Sequence, residues 1–526
     1  MTTIQIVFLS LFIAALILEN YGYGYWMISR PVIGGPILGL IMGDIQTGLI
    51  VGGSVELMFM GVLPIGGSVP PNAQIAGLIG TAFAIMSGGK PEIGIVLAMP
   101  VGILAQFLIM LAWNINIFLT HKADKYIEAG DTKKIEQTHL MGLLVFFSIF
   151  FISTFAALKF GSEGVSKIVD SLPEWLNQGL KATSTILPAV GMAMLLKMMD
   201  FKKYWSFFLC GFVLAVYLNM DILAISLLGV SIAAGIYLLN KDEKSGVSLN
   251  KNEEENGDYK PLLTNGDLKK TFIRSFFSMT SINYERYCNL GFCYSMIPAL
   301  KKFYKNEDEY KEALSRNNEF FNCHPYTGNA VIGVTLALEE QKSRTDQITP
   351  EVISSTKAAL MGPLSGIGDS IFKAIFMTVF AAIGAAMCLE GNILGPIVFI
   401  VPNILLNVFS RWYFIKYGYK FGINLVNKIN ESNLIEKFVE GATIIGLMVT
   451  AAMIVSFVKV PIATVWNFGG KEIVLQELLD KILPGLMPLL ISMFYYSILN
   501  KTKKGNYICL LISFAIGILG KLSGIL

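Results

Sequence analysis

Several runs of this chain carry no charged side chain over a length that approaches or exceeds the ~20 residues a helix needs to cross a bilayer. Ile93 to Thr120 and Leu140 to Leu158 are two of them. Ile222 to Asn240, Gly391 to Ser410, Gly441 to Val458 and Ile482 to Asn500 follow the same pattern. Hydrocarbon offers backbone N–H and C=O groups no water, so spanning segments are confined to helices or closed barrels. A barrel would show short alternating segments, and the sequence shows no such alternation. Composition agrees, because 54% of the 526 residues are hydrophobic and only 15% charged, against about 25% charged in a soluble domain. The expected fold is all-α, a polytopic membrane protein.

The apolar stretch Ile4 to Leu18 lacks basic residues before it and a small-residue cleavage site after it. It reads as a retained first span or interfacial helix rather than a removable signal. A net charge of +3 gives no support to a nucleic-acid-binding role. Six cysteines are scattered without a disulfide-like framework. Cys288, Cys293 and the adjacent Cys323–His324 match no usual zinc spacing, so neither a metal nor a cofactor is expected.

The strongest break in composition falls at about Asn240 to Lys270, a polar stretch rich in Asn, Glu and Lys. It predicts an exposed linker joining two membrane units. The units are expected at 1–240 and 267–526, with the linker at 241–266. Within the second unit, residues 267–358 mix charged and apolar residues at helical spacing before the chain turns membrane-like over 359–526. That first portion is expected to form amphipathic helices at the membrane surface, although a soluble helical cap would show the same pattern. Lysines set the orientation. Loops holding Lys122, Lys125, Lys133 and Lys134, then Lys202 and Lys203, then Lys301, Lys302 and Lys305, and the turn at Lys501 to Lys504, are expected on the cytoplasmic side.

Pro31 to Gly77 is apolar yet full of helix breakers, among them Gly34–Gly35–Pro36, Pro64, Gly66–Gly67 and Pro70–Pro71. Breaks of this density predict short, broken or re-entrant helices. Broken backbone survives at membrane depth only where it is buried in protein or lines a polar cavity, and transporters place such helix ends at the substrate. Asp44, Gln46, Glu56 and Asn72 lie in this stretch. A carboxylate in a spanning segment is costly and needs a function or a partner. For Asp44 the plain alternative is a helix cap, for Glu56 an interhelical hydrogen bond, and for the two amides structural glue. Gly35 to Asp44 (GPILGLIMGD) has an echo in Gly362 to Asp369 (GPLSGIGD), a hint of a pseudo-repeat. Carboxylates and amides of this kind suit a neutral polyol, whose paired hydroxyls need both donors and acceptors.

Gly366 to Asp369 also fits the GxGD pattern of intramembrane aspartyl proteases, whose chemistry needs a second carboxylate. The Tyr-Asp pair that would supply it is absent, and the only Pro-Ala-Leu precedes the motif. No G-x-x-x-x-G-K-[ST] occurs, which removes an ATP-driven pump. From the residues alone, an ion-coupled secondary transporter using Asp44, Glu56 and Asp369 stays open.

Longer motifs go further. Gly35 to Ile85 resembles the signature region of mannose-type enzyme IIC of the bacterial phosphotransferase system. Thr271 to Tyr304, Glu319 to Lys342, the stretch from Lys357 through Phe399, and Arg411 to Gly422 resemble enzyme IID. The two resemblances span nearly the whole chain and depart from the family in joining IIC and IID in one polypeptide. They imply a sugar-translocating permease in the bacterial cytoplasmic membrane, importing a hexose or amino sugar. A soluble IIB protein, phosphorylated on histidine by IIA, would supply the phosphoryl group, and the family pattern implies a homotrimer. Chemistry then belongs largely to the partner, and no catalytic residue is assigned to this chain. Sugar contacts are expected from Asp44, Gln46, Glu56 and Asn72 in the first unit. Asn283, Glu285, Arg286 and Asp369 are expected from the second, with Glu285–Arg286 as a local ion pair in the plain reading. His324, in Asn-Cys-His-Pro, is expected to position the sugar or the donor, whereas His121 and His139 flank a polar loop and read as solvated.

Overall fold

A computed structural model describes the chain apart from residues 1, 60–69, 221, 243–260, 346, 428–433, 461, 469–470, 503–504 and scattered positions between 172 and 187. The first half opens with α1 (Thr3–Tyr21), started by a capping box in which Thr2 and Gln5 exchange hydrogen bonds. Three short helices follow, α2 (Pro31–Met42), α3 (Ile45–Phe59) and α4 (Ala73–Met86). The 12 residues of α2 rise only about 18 Å, well short of a ~30 Å hydrocarbon core. The helices are short, as the glycines and prolines predict, but Gly34–Gly35–Pro36 lie inside α2 without breaking it, and Pro64 and Gly66–Gly67 lie outside the described residues.

Sequence dictates each end of α2. Pro31 starts it, and Gly43 stops it with a left-handed φ of 85°, a conformation open to glycine at little cost. The chain then doubles back, and α3 packs on α2. Gly35 and Gly39 face Gly48 and Gly52 so closely that a Cβ on Gly48 would strike the Gly35 carbonyl oxygen and the Gly39 Cα. This is the small-residue contact by which membrane helices associate without a hydrophobic drive.

Two long helices, α5 (Pro91–Glu128) and α6 (Thr132–Ser171), form an apolar hairpin. α7 (Pro188–Met198), α8 (Phe201–Tyr217) and α9 (Ile222–Asp242) complete the first half. Helix reaches into both ends of the segment expected as linker, because α9 closes at Asp242 and α10 opens at Asn265. The body of that linker, 243–260, lies outside the described residues.

The second half begins with α10 (Asn265–Ser275), α11 (Asn289–Phe303), α12 (Glu307–Asn317) and α13 (Gly328–Arg344). α10 and α12 have the expected amphipathic form, burying Leu268 and Thr271, and Tyr310 and Leu314, on one face. α11 and α13 are instead buried over most of their length. Glu339 of α13 is fully buried and receives Arg316 (2.8 and 2.6 Å), Asn317 (2.6 Å) and the Tyr304 hydroxyl (2.7 Å). These helices are held by a buried, hydrogen-bonded polar cluster around Glu339, so they form a packed body rather than a layer of surface helices.

α14 (Pro350–Gly368) runs through a π-helical turn, Asp369–Met377, into α15 (Thr378–Leu389). α16 (Leu394–Asn427) and α17 (Leu434–Phe457) follow. A two-stranded antiparallel ribbon, β1 (Val465–Phe468) and β2 (Lys471–Val474), sets Val465 opposite Val474. It is a small addition to an otherwise all-α fold, too short to show as alternation. α18 (Leu475–Ile482) meets α19 (Leu486–Lys501) at a 77° bend, and α20 (Gly505–Leu522) ends the fold.

Among the described residues four helices are long and apolar enough to cross a membrane, or five if the bent pair counts as one span. Phe118, Leu144 and Leu511 lie exposed along α5, α6 and α20, an apolar surface that lipid would cover. The main hydrophobic core runs through both halves without a boundary between them.

Candidate functional site

A cavity lies where the two halves meet. The first half contributes the end of α1, the loop that follows it, the start of α4 and Trp113 of α5. The second contributes Ser275 to Cys288, Phe321 to Asn329, and Ser365, Asp369 and Lys373 along the π-helical junction.

The loop after α1 is built to hold side chains in place. Tyr25 and Met27 adopt left-handed backbone (φ 58° and 65°), which is strained for side chains of this size. Glu19, fully buried, holds the loop by accepting from the backbone N–H of Trp26 (2.6 Å), Met27 (3.2 Å) and Ser29 (3.1 Å) and from the Ser29 hydroxyl (2.6 Å). From the other half, the Asn407 amide donates to the carbonyls of Gly24 (2.8 Å) and Tyr25 (3.1 Å). The Thr280 hydroxyl donates to the carbonyl of Gly22 (2.5 Å). Strain held by so many bonds is the pattern of a functional site.

The loop delivers Arg30 to the cavity. Its guanidinium pairs with Glu56 through both Nη2 and Nε, the latter at 3.0 Å, and the Val32 N–H also donates to Glu56 (3.3 Å). Glu56 therefore stands one residue behind the cavity wall, charge-balanced by Arg30. Asn72 lines the cavity while capping α4, accepting from the Ile75 N–H (2.8 Å) and donating to the Tyr21 hydroxyl (3.2 Å).

On the opposite wall, His324 accepts the Tyr326 N–H at Nδ1 (3.2 Å). A neutral ring then carries its proton on Nε2, and that buried nitrogen has no protein partner. Burial, followed by the charges of Lys373 and Arg411, holds this imidazole well below its ordinary range, so it stays neutral. Gly368 explains the close approach, since a Cβ there would collide with the His324 ring and the Thr327 hydroxyl. Asp369 pairs with Lys373, one turn on, at 2.9 Å. The Asn329 amide donates to the carbonyls of Pro325 (2.7 Å) and Tyr326 (3.1 Å), which leaves its buried Oδ1 without a protein partner, as is the Tyr287 hydroxyl. The cavity thus offers a donor at His324, an acceptor at Asn329, and a hydroxyl that does either.

Of the residues singled out from sequence, Asn72, Asp369 and His324 line this cavity and Glu56 adjoins it through Arg30. Asp44 and Gln46 do not reach it. Asp44 caps α3, accepting from the Thr47 N–H (3.0 Å) and hydroxyl (2.6 Å), and Gln46 is exposed beyond it. The two Gly-Asp echoes are consequently not equivalent, since one lies in a turn and the other inside a continuous helix. Asn283, Glu285 and Arg286 stand behind the cavity wall. Asn283 ties its own turn together and donates to the Thr120 hydroxyl (3.0 Å). Arg286 does meet Glu285 (3.3 Å) but pairs bidentately with Asp124 of the first half (2.8 Å twice), while Glu285 accepts from His121 (2.6 Å).

His139 is not solvated, as the polar loop beside it suggests. It is fully buried, bonded to the Ser281 hydroxyl (2.7 Å) and the Phe277 carbonyl (3.0 Å) of the other half. Sequence reasoning passed over Arg30, Trp113, Lys373 and Asn329. A signal did exist for Arg30, the only arginine in the first 240 residues. Lys373 follows Asp369 by four residues, the spacing of a helical ion pair.

Short broken helices, apolar spans and a polar cavity between two membrane-embedded halves together define a multi-pass membrane permease. Two family models divide the chain between them. The sorbose-specific IIC component of the phosphotransferase system matches residues 3–235, and the mannose/fructose/sorbose-family IID component matches residues 262–526. The mannose-specific EIID component of Escherichia coli K12 is 39% identical over 50% of this chain and 95% of its own length. The fructose permease IID component of Bacillus subtilis 168 is 38% identical over 50% of this chain and 98% of its own length. For the first half, the N-acetylgalactosamine permease IIC component 1 of Escherichia coli K12 is 32% identical over 44% of this chain and 91% of its own length. A solved structure of the mannose transporter ManYZ with microcin E492 is 37% identical, covers 50% of this chain and 98% of that one, and has a TM-score of 0.47. The chain belongs to the mannose/fructose/sorbose family of the phosphotransferase system, as a IIC component fused to a IID component, and is a sugar permease of that system. The ion-coupled secondary transporter is set aside by this membership.

Proposed function

We propose that the protein carries a hexose or amino sugar across the bacterial cytoplasmic membrane, with phosphorylation from a phosphohistidine IIB partner charged by IIA. The two membrane units are assigned to 1–240 and 267–526, joined by the linker at 241–266, and the working assembly is a homotrimer. The observation that carries the reading is the cavity between the halves, whose lining includes buried donors and acceptors without protein partners. A site built to pair hydroxyls rejects a wrong stereoisomer through the polar group left unpaired, at about 1–3 kcal/mol each. Asn72, Asn329, His324, Asp369 and the Arg30–Glu56 pair are proposed as its contacts, with Trp113 as the apolar face. Asp44, Gln46, Asn283, Glu285 and Arg286 are proposed to support the site rather than touch the sugar.

The test is phosphoenolpyruvate-dependent phosphorylation of a labelled sugar panel by membranes containing the protein, with general phosphotransfer proteins, IIA and IIB added and then omitted in turn. Product that requires both this chain and IIB supports the reading and names the sugar. Accumulation of unmodified sugar on an ion gradient alone would sink it. Mass measurement in detergent tests the trimer.

A further inference from the structure

The strip of chain that closes the sugar cavity on one side also closes a second cleft, which faces water. Tyr287, Cys288 and Phe321 face the cavity, while their immediate neighbours Arg286 and Phe320 face the cleft. The partition is one layer of backbone thick. The Cys288 N–H donates to the Phe321 carbonyl (2.9 Å) and the Phe321 N–H to the Arg286 carbonyl (3.2 Å). Asn283 and Tyr287 close the turn by exchanging backbone bonds (3.2 and 3.0 Å). Tyr287 sits in left-handed backbone at φ 54°, a strained conformation typical of clamps and switches.

The cleft is lined by the last turns of α5 (Asp124, Ile127, Glu128), next to the α5–α6 turn whose Lys122, Lys125, Lys133 and Lys134 assign that end to the cytoplasm. Asp124 and Glu128 of α5 wall it on one side, and Lys311 and Glu312 of α12 on the other. Charges of both signs line it, Asp124, Glu128, Glu312 and Glu319 with Lys197, Arg286 and Lys311, which gives a polyol both donors and acceptors.

The bonds that hold the partition shut come from the other half of the molecule. Arg286 is clamped by Asp124, Asn283 by Thr120, and Glu285 by His121. All three partners lie on α5 within five residues, so one displacement of α5 against the second half would release them together. Bistable contacts between bodies are how small shifts become switches.

We propose that this cleft is the inner vestibule of the sugar passage, and that the turn 283–288 with Phe321 is the door between cavity and vestibule, bolted by Arg286 on Asp124. The proposal rests on the cavity being the sugar site. Arg286 on this account is a positioning residue that acts on the route rather than on the sugar.

Cys288 is a built-in reporter. It is the last residue of the door and faces the cavity side, and burial pushes its thiol up to about 12, so it is unreactive while the door is shut. Full-length protein in sealed vesicles is treated with a charged, membrane-impermeant maleimide, and modification of Cys288 is followed by peptide mass spectrometry. Ser315→Cys, at the open rim of the cleft, marks the vesicles whose cleft side is accessible. Asp124→Asn/Arg286→Gln, which removes both charges together, is expected to speed Cys288 labelling at least tenfold from the cleft side only. Phe321→Ala, which thins the door without touching the ion pair or the Tyr287 hydroxyl, is expected to do the same if the charge variant fails to fold. The sugar identified in the phosphorylation assay is expected to slow labelling again. Unchanged labelling in both variants overturns the door, and so does faster labelling from both sides, which is general loosening. Opening from the cleft side that no sugar reverses keeps the door and removes the sugar reading.

Discussion

Removing the Glu56 carboxylate does two things at once. It alters the cavity, and it strands Arg30 as a buried cation, which costs about 3–5 kcal/mol when one partner of a buried pair is lost. Loss of uptake in Glu56→Gln alone therefore does not distinguish site from scaffold. Replacing both members, Arg30→Met with Glu56→Leu, removes the stranded charge, and such replacements are often neutral or stabilising. The expected outcome is a lowered thermal midpoint in detergent for Glu56→Gln, a recovered midpoint for the double variant, and sugar binding lost in both. Wild-type binding by the recovered double variant would take Arg30 out of the site. His324 makes a second case. Its free Nε2–H can be imitated by a glutamine amide but not by alanine, so His324→Ala should weaken sugar binding about tenfold or more and His324→Gln should restore most of it. Because the folded ring is held below its ordinary value, it stays neutral while the unfolded histidine takes a proton near pH 6.5. Acid then favours the unfolded chain, so the thermal midpoint in detergent should fall as the pH drops below about 6.5. Binding by the folded protein, measured by calorimetry, should stay flat from about pH 8 through that range. His324, Asn72 and Asp369 were legible because they sit in long motifs. Asp44 stood out for a reason that helix capping explains, and the partners of Glu285 and Arg286 lie more than 150 residues away on α5, a pairing that spacing cannot show.

The apolar runs became helices because a backbone in lipid must satisfy itself and the sequence lacks the alternation of a barrel. Pro31–Gly77 gave short helices, and the ends of α2 are set by Pro31 and Gly43 rather than by Gly34–Gly35–Pro36, which lie inside it. What spacing hid was the interior of the second half. α12 and α13 each carry several charges, yet Arg316 of α12 and Glu339 of α13 are buried against each other, and a charge pattern reads the same whether water or a partner answers it. The α2–α3 contact gives the sharpest test among the elements. Gly43 has open space around its Cβ position and only a left-handed backbone to defend, so Gly43→Ala should cost about 1–2 kcal/mol. Gly48 has room for no side chain at all, because its neighbours are backbone atoms of the facing helix that cannot rotate away. Gly48→Ala must push the two helices apart, which opens the contact that holds them and shifts Arg30 and Glu56, one on each side of it. The expected result is a modest drop in thermal midpoint for Gly43→Ala with transport retained. For Gly48→Ala, monodisperse protein recovered by size exclusion should be largely lost, or transport abolished where it survives. Equal, mild effects would mean that α2 and α3 tolerate separation.

The two halves are joined twice over, by a polar segment of chain and by a seam of buried contacts, and only the second has the means to hold them. Across that seam run Asn116 to the Ile282 carbonyl (2.9 Å), His139 to Ser281 and Phe277, Thr280 to Gly22, Asn407 to Gly24 and Tyr25, and Arg274 to Glu136 (2.8 Å). α8 and α9 of the first half pack on α17 of the second, and α7 packs on α19. Each buried polar bond would leave an unsatisfied group in a low-dielectric interior if the halves parted, at about 1–3 kcal/mol apiece. The tether adds only effective concentration, which confinement to a membrane already supplies in part. Co-expression of the chain cut near Gly257, as two fragments with an affinity tag on the first, should therefore return the second fragment in equal amount. Sugar phosphorylation by those membranes should stay within a fewfold of the intact chain. Co-purification without activity would mean that the tether sets the register of the halves. Failure to co-purify would mean that the seam forms only when one chain delivers both sides of it.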